Sequence, residues 1–343
     1  MEKNGEILRG KNNINVEKQE IFKQLLQNRN LHELWNFVGE ICDLPLFQRL
    51  QDISYFGSGE YFYTPPYRYT RYQHCINTAY YTALCLFSHH CSEDDLRTGI
   101  IWGLTHDLGH IIFSHTGEEA LRQKEHFDHE TFSEELLQNT AFHKIFARYE
   151  ITHQSLTEFK THFWFMCDSH FDIDTLCGIT DFAQVFRMID FPLTQLLTEG
   201  LQKQDGMWIW IDHARPLIQA FWQLKARVYR EYVYVLENEA CDLMIQRIIQ
   251  LSGFSDKLIG EHEFLTNLHK QPNSTAALLW NKIESRQFWQ LDKKSIGDEV
   301  EIMEKCFQAF KSSDLPKNIS WADLHAFLDK RYKKQWTTKY LIK

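Results

Sequence analysis

None of the eight cysteines of this 343-residue chain pairs with another at C-x-x-C spacing. That speaks against a thiolate zinc site or a disulfide framework, and the scattered cysteines read as small core residues. No apolar stretch reaches the roughly 20 residues that a membrane span needs, so no membrane partner is expected. The start, MEKNGEILRGKNN, lacks the apolar core of a signal peptide, and a cytoplasmic protein is expected. Basic residues are not in excess: 37 Lys and Arg against 46 Asp and Glu leave a net charge of −9. Broad binding to a phosphate backbone is therefore not favoured, although a few local cations suffice for a small anionic substrate. Glycine and proline are few, and no internal repeat or low-complexity segment is visible. An apolar fraction of 43% and a charged fraction of 24% are those of a soluble globular protein.

Helical signals dominate what is present, which points to an all-α fold. In SEDDLRTGIIWGLTHDLGH, Ser92 and Asp95 form a capping-box start, apolar residues follow at helical spacing, and Gly109 suits the position just past the end. RYQHCINTAYYTALCLFSHH reads as a second helix, with His74, Thr78, Tyr81 and Cys85 along one face. A long helix is expected from Pro216 across PLIQAFWQLKARVYREYVYVLENEACDLMIQRIIQ. YFGSGEYFYTPPYRYTRY suggests an irregular loop or small hairpin, and MWIWI a short strand. Turn-like composition at SGFSDKLIGEH and HKQPNST divides a main domain, 31–254, from a C-terminal helical region, 255–343. Residues 1–30 read as a partly mobile N-terminal segment. Trp280, Trp289, Trp321 and Trp336 read as packing residues of the C-terminal region.

GLTHDLGHIIFSHTGEEAL sets His106, Asp107, His110 and His115 in an otherwise apolar run. His106 and His110 share a helix face, and neutral imidazoles with a carboxylate suit a divalent metal such as Mn, Fe, Ni, Co or Zn. A buried aspartate without a partner is costly, whereas a bound cation favours its ionised form. Adjacent His and Asp can both reach one ion at a helix end. Antiparallel packing of the two predicted helices would bring His74 beside His106. A further carboxylate is needed, with Asp168, Asp172, Asp174 and Asp181 as candidates that spacing alone does not separate.

The order His74, His106-Asp107 and a distant Asp resembles the H…HD…D signature of the HD-domain metal-dependent phosphohydrolases. DLPLFQRLQDISYFGSGEYFYTPPYRYTRYQHCINTAYY, HDLGHIIFSHTGE and His129-Glu130 are similar to segments of the deoxynucleoside triphosphate triphosphohydrolases. The resemblance covers roughly residues 40 to 250. It implies an HD-domain helical fold with a C-terminal helical extension. It also implies one divalent metal, with a second possible when substrate is bound, on His74, His106, Asp107 and Asp174, with Asp172 the competitor of Asp174. In the catalytic group, His129 moves a proton, oriented by Glu130 or Glu118, and His110 and His115 meet the substrate phosphates. Arg71 is placed near the phosphate chain, Tyr229 is a substrate-contact candidate, and a homo-oligomer is expected.

The sequence departs from that group after Asp174. The usual basic residue, Asp-Tyr and Arg-Asp are absent from Asp174-Thr-Leu-Cys-Gly178-Ile-Thr-Asp181-Phe. Tyr55 stands where some members carry a base-contacting Gln. The implied reaction is hydrolysis of a deoxynucleoside triphosphate to deoxynucleoside and triphosphate. The alternatives are an HD phosphatase or phosphodiesterase acting on another nucleotide or nucleic-acid end, and a catalytically silent nucleotide-binding module. Arg49 and Arg68 either form an anion-binding cluster or pair with nearby acids. His89, His90, His126, His143, His153, His162 and His170 read as surface or core residues.

Overall fold

Ser92 opens its helix as its sequence predicts: its Oγ accepts the Asp95 N–H at 3.1 Å, and the Asp95 carboxylate accepts the Ser92 N–H at 3.2 Å. The computed structural model describes residues 32–163, 171–204, 207–233, 235–289, 291–295 and 338–342. The N-terminal segment 1–30, Asp168, His170, Tyr234, Trp321 and Trp336 lie outside the described residues. Helices run in the order α1 (His32–Cys42), α2 (Pro45–Gln48), α3 (Ser58–Tyr63), α4 (Arg71–Ser88), α5 (Glu93–Thr105), α6 (Ser114–Glu125), α7 (His129–Leu137) and α8 (Thr140–Arg148). They continue as α9 (His153–His162), α10 (Ile173–Val185), α11 (Leu193–Glu199), α12 (Arg215–Val228), α13 (Leu236–Ser252), α14 (Glu261–His269) and α15 (Thr275–Glu284). The strands β1 (Leu201–Gln204) and β2 (Met207–Trp210) form one antiparallel pair, and β3 (Leu291–Ser295) and β4 (Thr338–Ile342) another. The fold is all-α. No helix of the described residues is long and apolar enough to cross a membrane.

The chain divides into two units. The first comprises 32–56, Pro65–Phe159 and Ser255–Thr266. Its centre is the α4–α5 pair. A Cβ on Gly103 would lie 2.6 Å from Ala79 Cα, and one on Gly99 would lie 2.6 Å from Leu86 Cδ1. As position 103 meets 79 and position 99 meets 86, the helices run antiparallel at close approach. Ile100, Ile101 and Leu104 are fully buried, each worth about 1.5–3 kcal/mol of apolar burial. α1 packs on α5 and α8, with Phe37 against Tyr149 at a ring distance of 4.5 Å.

The second unit comprises Gly57–Thr64, Lys160–Phe254 and the chain from Asn267 on. α10 packs on α12, while Phe171 meets Trp210, Phe221 and Trp222. α13 packs on α15 and α3. Buried Trp280 has the packing role expected of it.

Three expectations are corrected. Part of the aromatic Gly/Pro stretch is the short helix α3, and its hairpin character shrinks to one bridge between Ser54 and Thr70. The long helix from Pro216 is broken: α12 passes into a π-turn at Tyr229–Val233, and α13 begins after an extended Val235. The Asn238 side-chain amide donates to the Val233 carbonyl at 3.0 Å, satisfying a group that a continuous helix would have bonded. Lastly, Gly109 is no helix end, since α5 stops at Thr105 with His106 as C-cap. Its requirement is space, because a Cβ there would lie 2.1 Å from the His129 carbonyl oxygen.

Candidate metal centre

The end of α5 sets the geometry. His106 Nδ1 lies 3.0 Å from the Gly103 carbonyl oxygen, a contact that fits an Nδ1–H donor and leaves the Nε2 lone pair for a ligand. His74, fully buried, projects from the first turns of α4, whose start is tied by the Thr70 N–H donating to Gln73 Oε1 at 2.8 Å. His74 Nε2 stands 3.6 Å from Asp107 Oδ2, and His106 Nε2 stands 3.6 Å from Asp107 Oδ1. The three residues offer ligand atoms that all lie within 4.8 Å of one another. Two ligands each about 2.1 Å from an ion can stand at most ~4.2 Å apart, so both His–Asp spacings fit a shared ion. Two imidazoles and a carboxylate suit a borderline divalent metal.

Asp107 is buried but not left alone. Burial pushes its carboxyl up, yet Arg71, His106 and His110 outweigh it and hold the group well below the usual carboxylate range. Arg71 Nη1 lies 2.5 Å from Asp107 Oδ2, and Arg71 Nε donates to Ser114 Oγ at 2.8 Å. The Arg71 guanidinium sits 4.5 Å from the Tyr55 ring centre, and Tyr55 packs 4.6 Å from the His74 ring. Arg71 thus reaches the centre as a partner of the metal-type carboxylate.

A second cluster adjoins the first, made of His110, His115, Glu118 and His129. Glu118 Oε2 lies 3.0 Å from both His115 Nδ1 and His129 Nδ1, and its Oε1 accepts from Arg122 at 3.1 Å. Burial pushes the Glu118 carboxyl up, but these histidines pull it far below its ordinary value. For His129, burial pulls downward while Glu118 and Asp107 prevail and raise it. His110 stacks on His129 at 3.9 Å, and its Nε2 is 3.4 Å from Asp107 Oδ1. Burial, with Arg71 and His129 beside it, holds His110 well below its ordinary value despite Asp107, so its ring is neutral. His115 is 66% exposed, at the open side of the cluster. The carboxylate that meets His129 is therefore that of Glu118, whereas Glu130 is exposed on the first turn of α7.

The first unit thus brings together His74, His106, Asp107, His110, His115, His129 and Arg71. Asp174 and Tyr229 belong to the second unit, where burial and the negative charge of Asp174 push the Tyr229 hydroxyl up. Asp172 is the N-cap of α10, its Oδ1 accepting the Thr175 N–H at 2.7 Å. Arg68 takes the ion-pair alternative, with Asp52 at 3.3 Å and Glu261 at 2.9 Å. Arg49 donates to the Leu108 carbonyl at 2.6 Å and so braces the His106–His110 turn.

Sequence reasoning missed three supporting residues. Ser133 Oγ accepts the Gly109 N–H at 2.7 Å and donates to the His106 carbonyl at 2.9 Å, locking the turn to α7. Ser114 bonds Arg71 and donates to the Ser54 carbonyl at 2.5 Å; its place inside HDLGHIIFSH was the available signal. Glu261, which accepts the Phe113 N–H at 2.8 Å from 148 positions away, had none.

Residues 71–165 match the HD domain family model. Over that segment the chain is similar to HD domains, and it resembles the metal-dependent phosphohydrolases of the deoxynucleoside triphosphate triphosphohydrolase group. The deoxynucleoside triphosphate triphosphohydrolase SAMHD1 of Xenopus laevis is 36% identical over 90 residues, which cover 24% of this chain and 14% of that protein. SAMHD1 of Gallus gallus is 33% identical over 119 residues, covering 31% of this chain and 19% of that protein. The chain therefore matches less than a fifth of the length of these relatives. A phosphohydrolase of known structure from Bacteroides thetaiotaomicron superposes with a TM-score of 0.62 at 17% identity, covering 78% of this chain and 79% of that one. That likeness is one of fold.

Proposed function

We propose that the chain is a metal-dependent nucleotide phosphohydrolase and that its substrate is a deoxynucleoside triphosphate, cleaved to deoxynucleoside and triphosphate. The observation that carries this reading is the convergence on Asp107 of two ligand-type histidines and Arg71, next to a His129–Glu118 pair. His74, His106 and Asp107 are the residues that would hold the metal, and Asp174 is the further carboxylate that the family resemblance implies. Asp172 already caps a helix with its carboxylate, which favours Asp174 of the two. A divalent ion in such a set supplies Lewis acidity and lowers the pKa of a bound water.

The chain's own residues do the rest. Asp107 and Arg71 place one negative and one positive group at the centre, and Arg71 and His115 meet substrate phosphates. His110, neutral and stacked on His129, fixes that ring. His129, with its imidazolium favoured by Glu118, donates a proton to the leaving 5′ oxygen as water oxygen bonds to the α-phosphorus and the bond between that phosphorus and the 5′ oxygen breaks. The attacking water releases one proton to solvent, which restores the charge balance once His129 is reprotonated. Tyr229 is a substrate contact, the protein works in the cytoplasm, and it assembles as a homo-oligomer. The phosphohydrolase core lies within 31–254.

The test is chromatography of a mixed nucleotide panel incubated with protein and Mn, Mg, Fe, Co or Ni, with a His106→Ala/Asp107→Ala control. Loss of a deoxynucleoside triphosphate with release of intact triphosphate is expected. Orthophosphate release from another nucleotide would keep the reaction class and replace the substrate. No turnover under any metal would overturn the enzymatic reading.

A further inference from the structure

Between His110 and His115 the backbone takes an unusual path. Phe113 and Ser114 both lie in the left-handed region, at φ 58° and 52°, where a side chain crowds its own backbone. Two such residues in succession persist only where surrounding contacts fix them. The contacts converge on one buried carboxylate. Glu261, 1% exposed, accepts through Oε1 from the Phe113 N–H at 2.8 Å and from the Ser54 N–H and O–H, both at 2.7 Å. Its Oε2 accepts from Arg68 at 2.9 Å.

Ser54 passes this fixation on. Its carbonyl accepts from Ser114 Oγ, whose oxygen in turn accepts from Arg71 Nε. The adjacent Ile53 carbonyl accepts the Arg71 N–H at 2.9 Å. The Glu261 end is itself docked, since Asp52 Oδ2 accepts the His262 N–H at 2.8 Å and Phe264 packs on Phe113 with ring centres 5.8 Å apart.

We infer that Glu261 is a positioning residue for the phosphate-binding side of the centre: by holding the Phe113–Ser114 turn and Ser54 on one oxygen, it sets where His115 and Arg71 stand. This rests on the proposed roles of His115 and Arg71 at substrate phosphates. The three donors on Oε1 are neutral groups, so holding the turn and Ser54 depends on the reach of that oxygen, while the charge of the carboxylate is met by Arg68 on Oε2.

The full chain, loaded with Mn, tests this with inorganic triphosphate as the probe. Glu261→Gln keeps an oxygen within reach of all three donors, whereas Glu261→Asp keeps the charge and withdraws it by one methylene. Three quantities are read: bound Mn per chain, triphosphate affinity by calorimetry, and hydrogen exchange of the Phe113 and Ser54 amides. The Asp variant is expected to keep its Mn, expose both amides to faster exchange and bind triphosphate on the order of 10- to 100-fold more weakly, the scale of one lost hydrogen bond to a charged group. The Gln variant, which keeps the three bonds on Oε1, is expected to lose about threefold at most, less than one neutral hydrogen bond at the upper end of its range. An Asp variant that binds triphosphate as wild type does overturns the inference, and so does a folded Gln variant that loses as much as Asp. Should the Asp variant not fold, the Gln variant carries the test: affinity that follows the exchange of the two amides supports placement, and slow exchange with lost affinity, or fast exchange with retained affinity, overturns it. Wild-type protein that binds no triphosphate and hydrolyses no nucleotide removes the proposed function, and the inference with it. Wild type that binds while the variants match it removes the inference alone.

Discussion

Replacing Glu118 by Gln should move the titration of His129 downward and slow turnover at neutral pH. Glu118 is almost fully buried, and its Oε2 receives ring nitrogens of His115 and His129, both at 3.0 Å. Gln can turn its oxygen to these two donors, while its amide faces Arg122 and gives up that bond. Both histidine bonds then survive without their charge assistance. That loss is about 1 kcal/mol per bond, and it falls on the imidazolium form of His129. In the wild type Glu118 and Asp107 together raise the His129 pKa against the opposing effect of burial. The protonated ring is therefore favoured in the folded state. Its stabilising contribution is full below the unfolded value of about 6.5 and fades as pH rises through the folded value. Glu118→Gln removes much of that contribution. Histidine-labelled NMR titration of metal-free protein should find His129 titrating at lower pH in the variant. The alkaline limb of the rate profile should shift the same way, with the loss at neutral pH bounded by the ~10²–10⁴ that a positioned acid–base group supplies. An unmoved His129 titration, or a moved titration with an unmoved rate profile, would refute the assignment of the proton to this pair.

Three further outcomes follow from the same geometry. Gly109→Ala drives a methyl onto the His129 carbonyl and the Ser133 nitrogen, which an added Cβ would approach to 2.1 and 2.5 Å. It should cost about 1–3 kcal/mol in thermal or denaturant unfolding and lower turnover by moving α7, so an unchanged midpoint would contradict the packing. Ser92→Ala removes the α5 cap at the far end from the centre and should cost about 1 kcal/mol while leaving turnover of folded protein alone, as denaturant melts and initial rates will show. Asp107 and Glu118 both have depressed values. Their stabilising contribution is thus present above the unfolded values of about 4 and lost as pH falls through the folded ones. Metal-free protein should weaken in acid, and Glu118→Gln should flatten that dependence in thermal melts from pH 7 to 3.

What the sequence disclosed follows the range of the interactions. The α5 cap and the His106-Asp107 pair are local, and the antiparallel approach of α4 and α5 follows from their short connection, so His74 beside His106 was legible. Gly109 was misread because a glycine after a helical run fits both an end and a close approach, and only the position of α7 distinguishes them. The unbroken helix from Pro216 failed for a similar reason: YREYVYV keeps helical apolar spacing, while the π-turn and the Asn238 bond depend on the fold. The resemblance named Glu130 or Glu118 as the partner of His129 and put Glu130 in the catalytic group, whereas the fold of α6 against α7 brings Glu118 to it. Glu261 was illegible altogether, since its partners Ser54 and Phe113 lie 207 and 148 positions away.

The central claim is that His74, His106 and Asp107 hold a divalent ion, and elemental analysis of purified chain dialysed against Mn tests it most directly. Close to one ion per chain is predicted for wild type, with near-complete loss in His106→Ala/Asp107→Ala and retention in Ser92→Ala. A wild type that holds no ion, or a double variant that holds as much as wild type, would contradict the account.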